Sequence, residues 1–150
     1  MELPEDVRQR FREYGRRGGL RRAERLPPAA REAVARRAAT ARWTRRRFGM
    51  SSFEALGLPG GTAVDAGLAD LAWGRTTPES LVVSLAAPRL RREGVPVGPV
   101  LDEPERRLFE LLSHTEGDLT HARYTAWLRQ LASFADACRV ARIDRKHRAT

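Results

Sequence analysis

Cysteine and lysine are nearly absent from this chain. Its 150 residues hold one cysteine, Cys138, and one lysine, Lys146, against 27 arginines. A single thiol excludes an internal disulfide framework, and its place on an apolar helical face predicts a buried, inert side chain. Long hydrophobic runs are missing too. The longest, Leu81 to Ala87, stops at Pro88, far short of the ~20 residues that span a bilayer. Met1 to Asp6 is acidic, with no apolar segment behind it, so no secretory leader is read there. A soluble, cytoplasmic protein with no membrane partner is expected.

Reaction chemistry is equally scarce. Gly18-Gly19 and Gly60-Gly61 are bare pairs without the framing of a phosphate loop or a dinucleotide fingerprint, and no Ser/His/Asp arrangement stands out. The nearest approach to a metal cluster is His114, Glu116, Asp118 and His121. It spans a loop and a helix start, and it has no cysteine and no histidine pair one turn apart. Glu116 and Asp118 read instead as turn and helix-dipole residues. No catalytic residue, cofactor or metal site is expected. A metal-dependent enzyme using His114 and His121 stands as the outlying alternative.

What the chain has is positive charge, and all of it in one place. Residues 1–50 carry a formal +9, whereas residues 51–150 are neutral. A GC-rich genome explains the preference for arginine over lysine, but it does not explain the clustering. Guanidinium forks match phosphate oxygens in pairs, so the clustering points to a polyanion.

Helical spacing dominates the rest. Leu3, Val7, Phe11 and Tyr14 form a stripe on a first helix, predicted over 4–17 and stopped at Gly15 or Gly18-Gly19, with a short piece from Leu20 to Arg25. A further helix is predicted from Pro28 to Phe48. On it Ala30, Val34, Ala41 and Phe48 share a thin apolar sector beside a stripe of Arg31, Arg42, Arg45 and Arg46, while Arg36, Trp43 and Arg47 form a third group. Gly49 to Gly61 reads as a mobile linker and domain boundary.

After the linker, Val64, Leu68 and Leu71 mark a short helix closed by Gly74. Thr77-Pro78 starts another, which Pro88 ends or kinks; its Leu81-Val82-Val83 run also fits a strand. Val95 to Val100 is an extended connector. Asp102 and Pro104 open a helix carrying Leu108, Phe109, Leu111 and Leu112. The last helix shows the broadest apolar face: Tyr124, Trp127, Leu128, Leu131, Phe134, Ala135 and Cys138. Such a face covers a core or meets a partner chain. The tail from Asp144 is polar and expected to fray.

The expected fold is therefore all-α: short basic N-terminal helices (1–48), a Gly/Ser/Pro linker (49–61), a small C-terminal helical domain (62–143) and a polar tail (144–150). Arg21, Arg22, Arg25, Arg31, Arg36, Arg42, Trp43, Arg45 and Arg46 are the candidate nucleic-acid-binding residues. The two-helix layout around Gly18-Gly19 permits a helix-turn-helix-like arrangement with 28–47 in a groove. Trp43 either stacks on a base or pins its helix. Tyr124, Trp127, Leu131 and Phe134 are the candidate partner-binding residues.

The string Gly18-Gly19, Arg22-Ala23, Leu26-Pro27, Ala35 to Ala39 and Ala41-Arg42-Trp43 resembles a segment common in short bacterial and plasmid-borne proteins. It departs from that segment at Pro27, where Ser or Thr is usual, and at Arg37, where Lys is frequent. The second half is similar to small proteins encoded beside nucleotidyltransferase-type toxins of the abortive-infection class. The matching residues are Thr77 to Leu81, Ala87 to Leu90, and Gly117-Asp118 with His121 to Tyr124, Leu128 and Phe134. The resemblance implies an antitoxin-like protein whose N-terminal part touches operator DNA as an autorepressor. Its C-terminal helices would hold the toxin, and a homodimer is possible. The alternative is an RNA- or ribosome-binding module without a toxin partner.

Overall fold

A computed structural model describes residues 4–148, except for the side chains of residues 22, 23 and 142–148. Among the described residues the secondary structure is entirely helical. It comprises α1 (Glu5–Arg25), α2 (Pro28–Phe48), α3 (Gly61–Ala72), α4 (Pro78–Arg92), α5 (Pro104–Glu116) and α6 (Thr120–Arg148), with one 3-10 turn at Gly117–Leu119. The chain divides into two compact units, 1–32 and 33–150.

The first unit is chiefly α1. The helix does not stop at Gly15 or at Gly18-Gly19, as the sequence suggested, but runs 21 residues to Arg25. Glycine costs a helix interior about 1 kcal/mol relative to alanine, which local helix formers outweigh when nothing requires a turn. Glu5 and Asp6 sit in the first turn, where the helix dipole favours acids. Glu5 also pairs with Arg8 at 3.7 Å and with Arg12 at 3.2 Å. The true break is Leu26-Pro27, because a residue before proline is pushed out of helical geometry. α2 then starts with Pro28, and the N–H of Arg31 donates to the carbonyl of Pro27 at 3.0 Å.

The second unit is built around α4. Ser80 through Ser84, Ala87 and Leu90 are buried, so the first turns of this helix are covered almost all round, as a central helix should be, and its arginines lie exposed at the far end. It packs against α3, α5 and α6. Leu81-Val82-Val83 is therefore helix. Its start is the N-cap that Thr77-Pro78 promised, and Ser80 completes it as a capping box. The Ser80 N–H donates to Thr77 Oγ1 (3.1 Å), and the Thr77 N–H donates to Ser80 Oγ (2.8 Å). Thr77 Oγ1 in turn donates to Asp70 at 2.7 Å, which Arg75 also contacts at 2.8 Å. Pro88 neither ends the helix nor stops the register, and α4 continues to Arg92.

The expected linker is the largest departure. Residues 49–60 form turns that belong to the second unit rather than a mobile boundary. Phe53 is fully buried and stands edge-on between Phe48 (centroids 5.6 Å apart) and Phe134 (5.0 Å). Three aromatic rings from α2, the turn and α6 thus share one core, at separations favourable to edge-to-face pairing. The tail also departs from expectation: α6 stays helical through Arg148 rather than ending near Ile143.

Candidate nucleic-acid interface

The candidate arginines divide by unit. In the first, Arg21, Arg25 and Arg31 are exposed, and the side chain of Arg22 lies outside the described residues. In the second, Arg42, Arg45 and Arg46 are exposed on the last turns of α2. The buried residues of that helix are Ala33, Thr44 and Phe48. At about 100° per residue, Arg42, Arg45 and Arg46 lie on the half of the helix turned away from them. Among the described residues no carboxylate lies within ion-pair distance of any of the three. Exposed Arg37, not singled out from sequence, is likewise unpaired.

The apolar sector read from sequence is rotated. Val34 is exposed, while Thr40 and Ala41 are half-buried and Thr44 is buried. The hydroxyl of Thr44 donates to the carbonyl of Thr40 at 2.9 Å, so a polar side chain enters the core with its donor satisfied. A wheel scored on hydrophobicity misses this because threonine counts there as polar.

Two candidates change role. Trp43 packs against the core rather than standing free for a base. Its ring meets Phe48 edge-on at 5.8 Å, and the Arg47 guanidinium covers it at 5.6 Å, a cation–π arrangement. Trp43 therefore pins the helix. Arg36 is half-buried, engaged by other groups, and lines a cavity of about 290 Å³ with Trp43, Leu71, Pro96 and Pro99. It does not join the exposed arginines.

The partner-binding candidates divide similarly. Leu131 and Phe134 are buried in the core and offer nothing to a partner. Trp127 is half-buried against the same cluster. Tyr124 is half-exposed; its hydroxyl donates to Glu105 at 3.1 Å, and its ring meets exposed Phe109 at 6.1 Å. Burial, with help from that hydrogen bond, raises the Tyr124 phenol above its ordinary range. Leu128, one turn further along α6, is exposed. Phe109, Tyr124 and Leu128 thus leave an open apolar surface on α5 and α6. Periodicity placed Phe109 on its helix beside Leu108, Leu111 and Leu112, but it does not separate the edge of an apolar face from its centre.

His114 and His121 are exposed, and Glu116 pairs with Arg123 at 3.3 Å. Among the described residues no group of three or more His, Cys, Asp or Glu is placed to hold a metal ion. No described helix is long and apolar enough to cross a membrane. The chain matches no known family model, no characterised protein and no solved structure.

Proposed function

We propose that the chain is an antitoxin-like protein that binds nucleic acid through the arginine face of α2 and holds a nucleotidyltransferase-type toxin with its helical unit. The observation that carries the first part is the exposed, unpaired set Arg42, Arg45 and Arg46. Positive charge held on a helix, with no counter-ion paired to it among the described residues, is available to phosphate oxygens, and each contact formed releases condensed cations. Arg21, Arg25 and Arg31 add exposed charge of the same kind. The toxin-holding part is supported by the resemblance at Thr77 to Leu81, Ala87 to Leu90 and His121 to Tyr124, and by the open apolar surface of Phe109, Tyr124 and Leu128. One protein with both surfaces would repress its own operon, with DNA as the expected polyanion. No reaction is proposed.

The test is binding of the chain to duplex DNA from its own upstream region across a salt series. Replacing Arg42, Arg45 and Arg46 by Ala is expected to weaken binding and flatten the slope of log K against log[salt] by about 0.9 per lost phosphate contact. Unaltered binding would remove α2 from the interface. Structured RNA outcompeting the duplex would replace operator binding by the RNA- or ribosome-binding alternative. The toxin half predicts a nucleotidyltransferase encoded beside this chain that co-purifies with it, and loss of that co-purification when Phe109 and Leu128 are changed to Asp.

A further inference from the structure

From residue 9 to residue 21 α1 is exposed on every side, and one of its faces combines aromatic rings with arginine in a way that phosphate binding alone does not require. Phe11 is 64% exposed and Tyr14 is 70% exposed, one helical turn apart. Burying such rings normally stabilises a fold, so two of them left bare on one face mark a surface that awaits a partner. The line they define continues to Gly18, where nothing lies within 4 Å of a would-be Cβ. At about 100° per residue, Arg10, Arg17 and Arg21 form a second line immediately beside it. All three are exposed, and among the described residues no carboxylate pairs with them. This basic line spans about 16 Å along the axis at 1.5 Å per residue.

We infer that this face of α1 binds single-stranded nucleic acid, with Phe11 and Tyr14 stacking on unpaired bases while Arg10, Arg17 and Arg21 follow the phosphates. The inference rests on the nucleic-acid reading above and narrows it to a strand whose bases are free. Charge complementarity selects the occupant. A helix that docks in a protein groove presents aliphatic anchors over successive turns. Here Val7 is the one described aliphatic residue on the line, and the stripe passes from Tyr14 to Gly18 and then to Arg25. A duplex keeps its bases stacked and offers no free ring face, whereas single strands are bound by aromatic platforms beside a basic track.

The experiment uses the full chain and a fluorescein-labelled 12-nucleotide single strand, made as RNA and as DNA, with the matching 12-base-pair duplex as control. Phe11→Ala and Tyr14→Ala remove exposed rings at positions alanine suits, so melting behaviour should stay unchanged. Each is expected to lower single-strand affinity about tenfold and to leave duplex affinity unchanged. Tyr14→Phe should retain binding, because the ring rather than the hydroxyl does the stacking. Wild-type single-strand affinity in both alanine variants would overturn the inference while leaving duplex binding by α2 intact. Failure of every nucleic acid to bind would overturn the parent reading with it. A dimer in sedimentation that dissociates on Phe11→Ala would assign the face to a second copy, which also overturns it.

Discussion

The Asp65 carboxylate of α3 accepts the backbone N–H of Phe53 at 3.1 Å with one oxygen and that of Glu54 at 2.9 Å with the other. This is how the turn after α2 is fixed so that Phe53 can enter the core. Asp65→Ala leaves both donors without their partner, and a loss of about 1–3 kcal/mol is expected by denaturant unfolding. Burial is the main influence on this carboxyl and raises its pKa above the ordinary range, although the two N–H groups pull the other way. The folded state therefore holds the proton to higher pH than the unfolded state does. Its contribution to stability is greatest in acid and declines as pH rises from the ordinary carboxylate range through the raised value. The stability of the wild type relative to Asp65→Asn should fall across that window; a rise would reverse the sign assigned to burial.

Phe134 and Tyr124 lie on the same helix but in different surroundings. Phe134 is fully buried against Phe53, so Phe134→Ala should cost about 3–5 kcal/mol in thermal or chemical unfolding. Tyr124 is half-exposed with one exposed hydrogen bond, and Tyr124→Ala should cost about 1 kcal/mol. Equal losses would mean that the two faces of α6 are not distinct.

Glycine to alanine should have opposite effects in α1 and α3. At Gly67 an added Cβ would lie 2.4 Å from the carbonyl oxygen of Glu79 and 2.6 Å from Val83 Cγ2, so α3 and α4 would have to separate. The helix-propensity gain of about 1 kcal/mol is smaller than the overpacking cost of about 1–3 kcal/mol against a backbone that cannot rotate away. Gly67→Ala should lower the melting temperature. Gly18→Ala meets nothing within 4 Å and should raise helical content by circular dichroism.

Cys138 is fully buried, and its thiol is pushed up to about 12 by burial, with the nearby Glu93 carboxylate adding to the effect. Since the thiolate is the reactive form, the native protein at pH 8 should resist iodoacetamide and become fully alkylated on unfolding. Rapid native labelling would show that α6 opens readily around this residue.

Local chemistry was readable in the residues themselves. Thr77-Pro78 announced a capped helix start because an N-cap hydroxyl acts on a backbone N–H within a few residues, and the helices of the second half follow the spacing of their leucines and aromatics. The clustering of arginine in residues 1–50 also requires no structure. Features that depend on distant partners were not readable. Gly18-Gly19 looked like a stop, yet nothing there demanded a turn, and Pro88 looked like an end or a kink in a helix that runs on to Arg92.

Tertiary structure decided which side of each amphipathic pattern became interior. Thr44 went in and Val34 stayed out because a hydroxyl that bonds its own helix carries little desolvation cost, whereas a valine needs an apolar neighbour to gain by burial. Phe53, set among Gly, Ser and Pro, gave no periodic signal. It is a core residue because Asp65, twelve positions later, holds its backbone in place and Phe134, eighty-one positions later, supplies the facing ring.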